Sequence, residues 1–183
     1  MSEQSIHIRP AAPGDAEAVL GLIVPIQREE FGIPISPADQ PDLHDIGGFY
    51  QHGAGNFWIA LRNGQVVGTV ALLDIGAGNG ALRKMFVRSD ARGATAGVAH
   101  RLLETLLAWA SAQGLHTIYL GTTAKFLAAH RFYEKHGFVE IERAELPPSF
   151  PVMQVDSKFY RYSIGSRSGT SSRATPIAES AMP

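Results

Sequence analysis

Residues 81–110 of the chain read ALRKMFVRSDARGATAGVAHRLLETLLAWA, and this stretch predicts a strand, a loop of small residues and a long helix. Ala81 to Val87 is short and largely apolar, as a buried strand is. Residues 88–97 contain no bulky apolar side chain. Beyond them, apolar residues recur at helical spacing until Gly114, namely Val98, Leu102, Leu103, Leu106, Leu107, Trp109 and Ala110.

The loop between this strand and helix favours an anion as its ligand. Small residues let a ligand approach the free N–H groups of the first helical turn, where the helix dipole is positive. Residues 83–101 carry five basic side chains and one acid, Asp90. The alternative is that Gly93 and Gly97 only permit a tight turn and that the arginines form a solvated rim. The glycine spacing is not that of a P-loop NTPase.

Composition limits the classes of protein to consider. A chain of 183 residues suits one domain with a substantial core. A net charge of −1 argues against a dedicated nucleic-acid binder. The absence of cysteine excludes disulfides, thiol catalysis and cysteine-ligated zinc, and the scattered histidines show no metal-ligand spacing. Because neither a signal peptide nor a membrane-length apolar run is present, we expect a cytoplasmic protein without a membrane partner or a metal.

The remaining segments predict an ordered succession of strands and helices. Residues 6–8 alternate as a first strand, and a helix follows with Asp15 as its N-cap and a break at Pro25. Asn63-Gly64 predicts a type I′ hairpin turn between two strands. The later predicted elements are a strand at 116–121, a helix at 125–136 that ends at Gly137, and strands at 139–143 and 155–164.

Residues 72–80, LLDIGAGNG, look locally like the glycine loop of S-adenosylmethionine-dependent methyltransferases. That fold requires a helix directly after the glycines, and further βα units around it. Here the short apolar segment 81–87 follows, and a hairpin signal precedes. We therefore interpret the glycines as a turn between antiparallel strands.

The segment 31–50 is rich in proline and glycine, so we predict a loop with a short helix at about residues 42–50. Five of its side chains are candidates for lining a substrate pocket: Phe31, Asp42, His44, Asp45 and Tyr50. The alternative is that they are ordinary loop polar groups and packing aromatics.

This order of elements, together with residues 87–103 and 129–138, resembles the GNAT superfamily of N-acetyltransferases over about residues 5 to 164. The resemblance implies a GNAT fold of the α/β (α+β) type, a mixed and mostly antiparallel sheet of about seven strands flanked by about four helices. It also implies acetyl-coenzyme A as co-substrate and a small-molecule amine as acceptor, with a homodimer as a possible assembly. Residues 1–4 are then an N-terminal tail, 5–164 the acetyltransferase domain and 165–183 a disordered tail.

In this family the loop and helix after the fourth strand hold the pyrophosphate of the coenzyme, usually through Arg/Gln-x-x-Gly-x-Gly/Ala. In this chain either two extra residues follow Arg92-Gly93, or Thr95 replaces the middle glycine. The resemblance implies a coenzyme site made by Met85, Phe86, Val87, Arg92, Gly93, Ala94, Thr95, Ala96, Gly97, Val98 and Ala99. Phe126 stands where the family often has an asparagine that contacts the coenzyme.

The segment Ala129-His-Arg-Phe-Tyr133-Glu-Lys-His-Gly137-Phe138 resembles the family motif Ala-x-x-x-Tyr-x-x-x-Gly-Phe. It implies that Tyr133 is the catalytic acid, which protonates the departing thiolate. The alternatives are that Tyr133 is a packing aromatic and that His130 pairs with Glu134 one turn away. A base for the amine has no motif of its own, and the candidates by position are Glu29, Glu30, Asp42, His44 and Asp45.

Two other functions remain as alternatives to a small-molecule acetyltransferase. The domain could acetylate a protein lysine or N-terminus, or it could bind acyl-coenzyme A as a sensor without catalysis. Retention of Tyr133 favours catalysis, and a proline-rich segment that covers the acceptor side favours a small amine.

Overall fold

The computed structural model describes residues 5–93 and 97–165, and its centre is one seven-stranded sheet with the order β1-β2-β3-β4-β5-β7-β6. The strands are β1 (Ile6–Pro10), β2 (Asn56–Arg62), β3 (Gln65–Gly76), β4 (Asn79–Val87), β5 (Thr117–Thr122), β6 (Val139–Ile141) and β7 (Lys158–Ser163). The α-helices of these residues are α1 (Ala16–Pro25), α2 (Pro41–His44), α3 (Ile46–Tyr50), α4 (Val98–Ala112) and α5 (Leu127–Lys135). The predicted mixed sheet flanked by helices is thus confirmed, and two of the five helices are about one turn long.

Strands β1 to β4 pair in antiparallel order through two tight turns. In the β2–β3 turn Asn63 and Gly64 have φ of 52° and 75°, as a type I′ turn requires. In the β3–β4 turn Ala77 and Gly78 have φ of 55° and 75°. The glycine-rich segment therefore joins two antiparallel strands, which confirms the interpretation as a turn rather than a cofactor loop.

Strands β4 and β5 are parallel neighbours that separate along their length. Their pairing covers only Asn79↔Thr117, Gly80↔Ile118 and Ala81↔Tyr119, although β4 continues to Val87 and β5 to Thr122. The unpaired ends, residues 82–87 and 120–122, face each other across an opening that we call the wedge. Helix α4, which connects these strands, begins at the same end of the sheet.

The two faces of the sheet carry different helices. On the face we call the α4 face, buried residues of α4 such as Leu102 and Leu106 pack with Leu82 of β4, Leu120 of β5 and Tyr133 of α5. On the opposite side, the α1 face, residues of α1, α2 and α3 pack on β2 and β3. A smaller apolar cluster near β6 and β7 includes Ala81, Phe150 and Phe159. The wedge therefore borders the apolar cluster of the α4 face through Leu82 and Leu120.

Two local predictions concern the first helix. The break at Pro25 is confirmed, because α1 ends there and a π-helical turn, Ile26–Glu30, follows. The predicted N-cap position of Asp15 is also found, without the side-chain hydrogen bond that a cap usually makes. The Asp15 carboxylate instead accepts hydrogen bonds from the Arg9 guanidinium at 2.7 and 3.0 Å and from the Ala12 N–H at 2.6 Å.

Helix α5 and the last strands have slightly different bounds from those predicted, and β7 lies between β5 and β6. The predicted tails, residues 1–4 and 165–183, lie outside the described residues except for Gly165. Within the described ranges, none of the helices has the length and hydropathy needed to span a bilayer.

Candidate active site

A β-bulge in β4 shapes the α1 side of the wedge. Thr69 pairs with Phe86 but Ala71 with Arg83, so β4 has one extra residue, and Lys84 adopts φ of 54° there. The Thr69 hydroxyl donates a 2.7 Å hydrogen bond to the Lys84 carbonyl and fixes the bulge. The bulge places Arg83 and Lys84 side by side on the α1 face, whereas consecutive residues of a regular strand alternate between faces.

The Lys84 ammonium ends in a buried polar cluster under the segment 31–50. Its Nζ lies 3.4 Å from Asp42 Oδ2 and donates to Gln40 Oε1 at 3.1 Å. The Tyr50 hydroxyl donates to the same Asp42 oxygen at 2.5 Å, and the side-chain amides of Gln27 and Gln40 bond each other. Burial raises the pKa of Tyr50, and burial lowers the pKa of Lys84 against the opposing effect of Asp42. The polar groups of this cluster bond one another and thereby attach the segment 31–50 to β4.

The acids and the histidine proposed as bases have structural partners in most cases. Asp42 belongs to the buried cluster just described. The Asp45 carboxylate accepts from a backbone N–H in α3 at 3.0 Å, and His44 Nε2 lies 2.9 Å from a backbone carbonyl. Glu30 is held by an arginine, whereas Glu29 is exposed on the turn after α1. The assignment of a base among these five residues stays a prediction.

The Arg92 side chain extends to Glu30, at the end of the π-helical turn that follows α1. Its two terminal nitrogens bond the two carboxylate oxygens of Glu30 at 2.5 and 2.8 Å, and its Nε donates to the Val87 carbonyl at 2.7 Å. This pairing lowers the pKa of Glu30. The side chain of Arg92 thus anchors the start of the loop, so a phosphate ligand would depend mainly on backbone groups.

The N-terminus of α4 presents those backbone groups. Gly97 precedes the 15-residue helix with φ of 59°, and no side chain of the described residues caps the helix. The Gly97 N–H bonds the Gly93 carbonyl at 3.1 Å. The N–H groups of Val98 and Ala99 belong to the first turn, whose donors have no partner within the helix. Ala94, Thr95 and Ala96 lie outside the described residues, so their part in a coenzyme site stays a prediction.

Tyr133 belongs to the large apolar cluster of the α4 face, which also contains Leu82 of β4 and Leu120 of β5. Only 6% of it is exposed, and its ring packs against Phe132, Phe138 and Tyr160 with centroid distances of 5.5, 5.4 and 6.3 Å. Its hydroxyl has no hydrogen-bond partner among the described residues. Burial raises the pKa of Tyr133, because the phenolate would lose solvation. The phenol therefore keeps its proton at neutral pH, as a general acid must.

The alternative pairing of His130 with Glu134 is wrong. His130 Nε2 lies 2.9 Å from the Thr123 carbonyl, and the Glu134 carboxylate accepts a 2.8 Å hydrogen bond from the Tyr160 hydroxyl. Both side chains therefore hold α5 to its neighbours rather than to each other.

Phe31 and Phe126 join the two sides of the protein. Their ring centroids are 3.9 Å apart, so Phe31, at the end of the first helical layer, packs on the residue that precedes α5. This contact supports a packing role for Phe31, and its part in a substrate pocket stays a prediction. The loss of a polar coenzyme contact at Phe126, implied by the resemblance, stays a prediction.

Asp156 is a residue of the wedge that the sequence analysis missed. It lies in the connection between β6 and β7, and its carboxylate lies against Gly121 of β5. The approach is so close that a Cβ atom added to Gly121 would be 2.6 Å from Asp156 Oδ2. On the β4 side, Arg83 Nη2 lies 3.3 Å from the sulfur of Met153 in the same connection. No carboxylate of the described residues lies within ion-pair distance of Arg83. A lone aspartate in a loop gives no sequence signal.

A groove of about 830 Å³ lies between α1, the β2–β3 turn and Arg88. Its lining mixes Arg9 and Arg88 with Asp15, Glu29 and Glu30, so it offers no single charge to a ligand. Size alone does not identify the site here.

The described residues thus combine a split parallel pair of strands, the start of a long helix and a buried tyrosine. The family model described as "Acetyltransferase (GNAT) family" matches residues 22–138. The chain therefore belongs to the GNAT acetyltransferase family, and the resemblance noted in the sequence is confirmed.

Relatives within this family include enzymes that differ in acceptor. The chain is 38% identical over 106 residues to the N-acetylaspartate synthetase of Danio rerio, which covers 57% of this chain and 37% of that protein. It is 38% identical over 125 residues to the IAA acetyltransferase of Azospirillum brasilense, covering 68% and 78%. The chain thus spans little more than a third of the synthetase.

Solved structures agree with the fold. A GNAT-family acetyltransferase from Staphylococcus aureus Mu50 has a TM-score of 0.83 at 37% identity, covering 88% of this chain and 100% of that one. The N-acetylglutamate synthase of Neisseria gonorrhoeae, complexed with coenzyme A and N-acetyl-glutamate, has a TM-score of 0.67 at 19% identity, covering 90% and 36%. At that identity the likeness concerns the fold alone.

Proposed function

We propose that this protein is an acetyl-coenzyme A-dependent N-acetyltransferase whose acceptor is a small amine that carries a carboxylate. The observation that carries the proposal is the arrangement around the wedge. The α4 N-terminus and the buried Tyr133 phenol lie on one face, and the half-buried Arg83 guanidinium lies on the other. This arrangement gives the thioester and the acceptor separate approaches to one opening.

The coenzyme would be held chiefly by backbone groups on the α4 face. The pyrophosphate is suited to the N–H groups of Val98 and Ala99, which need an acceptor and lie at the positive end of a helix. Met85 and Val87 pack on the α4 face beside the wedge, where they would border the pantetheine arm. Phe86, also predicted for the coenzyme, packs on the α1 face and is better placed to border the acceptor.

Arg83 supports the carboxylate on the acceptor. A guanidinium is always charged and matches a carboxylate with two parallel hydrogen bonds. Its side-chain bond among the described residues is to the weakly accepting sulfur of Met153. Several relatives are N-acetylaspartate synthetases, whose name gives a product that carries carboxylates. The segment 31–50 packs over the α1 face of the sheet, and this cover favours a small acceptor over a protein chain.

In the reaction, the acceptor ammonium first loses a proton, and the neutral amine attacks the thioester carbonyl carbon. A C–N bond forms and the C–S bond breaks. The departing thiolate receives a proton from the Tyr133 hydroxyl. The nitrogen then loses its second proton to solvent, and solvent returns a proton to the Tyr133 phenolate. By holding the carboxylate of the acceptor, Arg83 would keep the amine close to the thioester carbon and so raise the rate.

The test is a free-thiol release assay with acetyl-coenzyme A and pairs of acceptors that differ only in a carboxylate, such as amino acids and their decarboxylated amines. We expect thiol release with the carboxylate-bearing member and a KM for it that rises at least about tenfold in Arg83→Gln, since a charged hydrogen bond is worth about 1.5–3 kcal/mol. Arg161→Gln, an exposed arginine on β7, is the control.

Turnover of peptides alone would favour the protein acetyltransferase. Tight acetyl-coenzyme A binding without thiol release from any acceptor would favour the sensor. Equal KM changes for both members of each pair would contradict the carboxylate-binding role of Arg83.

Replacing Gly97 with leucine is expected to weaken coenzyme A binding at least about tenfold, because the side chain would block the approach to the α4 N-terminus. Calorimetry with coenzyme A measures this affinity. Gly114→Leu is the matched control, since Gly114 also has a left-handed φ, 80°, but lies at the other end of α4 in open space. Similar affinities for the two folded variants would contradict the predicted pyrophosphate site.

A further inference from the structure

We propose that Asp156 is the general base that accepts the proton of the acceptor ammonium. The inference rests on the proposed function and adds the residue that its mechanism lacks. It starts from the position of the carboxylate, which lies on the α1 face against β5, across the wedge from Arg83.

The position of Asp156 is fixed from three sides. Its carboxylate Oδ2 accepts a 2.8 Å hydrogen bond from the Met153 N–H, and its own N–H donates to the Met153 carbonyl at 3.0 Å. The next residue, Ser157, bonds the Thr122 carbonyl through its N–H at 2.9 Å and accepts from the Ala124 N–H at 3.0 Å. The connection is thus attached to the end of β5 at the wedge.

Gly121 makes this position available. Neighbouring residues of β5 show which face it belongs to: Ile118 and Leu120 pack on the α4 face, while Tyr119 packs with the cluster near β7. Gly121 therefore faces the α1 side, and the Asp156 carboxylate occupies the space of its missing side chain. Because Gly121 has no left-handed φ, its missing side chain matters here mainly for the space that it leaves to the Asp156 carboxylate.

The surroundings of Asp156 suit a proton acceptor. Burial raises the pKa of its carboxyl, while the Met153 N–H and the charges of Arg83 and Arg143 partly oppose the rise. The neighbouring strand β5 contributes the uncharged Gly121 at this point. Neither arginine lies within ion-pair distance, so the carboxylate is not neutralised by a bound cation. One oxygen, Oδ1, has no hydrogen-bond donor among the described residues.

The proton step follows directly from this geometry. The ammonium N–H bond breaks, its proton moves to Asp156 Oδ1, and the electron pair left on nitrogen attacks the thioester carbon. Asp156 later releases the proton to solvent. If Arg83 holds the carboxylate of the acceptor, the amine of the acceptor would lie between β4 and β5, within reach of Asp156 Oδ1.

Asp156→Asn is the decisive variant, because the amide keeps an oxygen for the Met153 N–H and removes only the basic group. We expect kcat to fall by about 10²–10⁴-fold, as is usual for loss of a general base, with coenzyme A affinity and thermal midpoint unchanged. The wild-type rate should fall with decreasing pH through a pKa above that of an ordinary aspartate, and this acidic limb should be lost in the variant. Glu142→Gln, an exposed acid of the same connection, is the control.

Gly121→Ala provides an independent test, since a Cβ there would displace the carboxylate without removing it. We expect kcat to fall while KM for the acceptor changes less. Failure of the proposed function is distinguishable, because wild-type enzyme would then release no thiol with any acceptor. If wild-type enzyme is active and Asp156→Asn keeps its rate and acidic limb, Asp156 is only a loop-stabilising residue and the proposal is overturned.

Discussion

Tyr133→Phe is expected to lower the turnover rate at least about tenfold, because general acids typically contribute about 10²–10⁴-fold. The phenylalanine keeps the ring that packs against Phe138 and Tyr160 and removes only the hydroxyl. Since burial raises the pKa of Tyr133, the wild-type phenol stays protonated across the neutral range, and no pH change there should imitate the variant. The measurement is single-turnover thiol release at saturating acetyl-coenzyme A.

Tyr162→Phe is the matched control for that variant, since the Tyr162 ring also packs on Phe138, at 5.2 Å. We expect it to keep the wild-type rate, and both variants to bind coenzyme A normally. A Tyr133→Phe protein that reacts at the wild-type rate where chemistry is limiting would reduce Tyr133 to a packing aromatic.

Asp42→Asn is expected to lower the free energy of unfolding by about 3–5 kcal/mol, the usual effect of leaving one partner of a buried ion pair uncompensated. The Lys84 ammonium would remain in a site where both side chains are only 10% exposed. Urea denaturation measures the change. The double variant Asp42→Asn/Lys84→Met should recover much of the loss, because it removes the stranded charge.

The pH dependence of this effect has a definite sign. Burial lowers the folded-state pKa of Lys84 below its ordinary value of 10.5, so the unfolded chain binds more protons between the two values. Stability contributed by this group therefore rises with pH in that window. The rise should be steeper in Asp42→Asn, where the carboxylate no longer supports the charge. Equal stability of the Asp42→Asn and wild-type proteins at neutral pH would show that the pair is not energetically coupled.

Local patterns predicted most of the fold. Asn63-Gly64 determines its turn through two left-handed φ values, and the apolar repeat of α4 determines the buried face of that helix. The bulge was not predictable in the same way. Arg83 and Lys84 are adjacent in sequence, and regular alternation would send them to opposite faces. Only the pairing of β4 with β3 shows the extra residue.

The site was predicted in part, for a related physical reason. Tyr133 and the α4 loop belong to continuous motifs, in which chemistry and spacing lie within one segment of the chain. Asp156 derives its position from Gly121, 35 residues earlier, and from a strand order that places β7 beside β5. Such a site depends on tertiary contacts, so no local pattern marks it.

The separation of β4 and β5 gives this sheet an edge in its interior. Beyond Ala81 and Tyr119 the facing backbone N–H and C=O groups of the two strands have no partner in each other. An edge on the outside of a sheet invites pairing with another chain, whereas this one lies between two strands of the same sheet. Amide hydrogens of residues 82–87 and 120–122 that point into the opening should therefore exchange with solvent faster than those of β2 and β3, and a ligand with amide groups of its own should slow them.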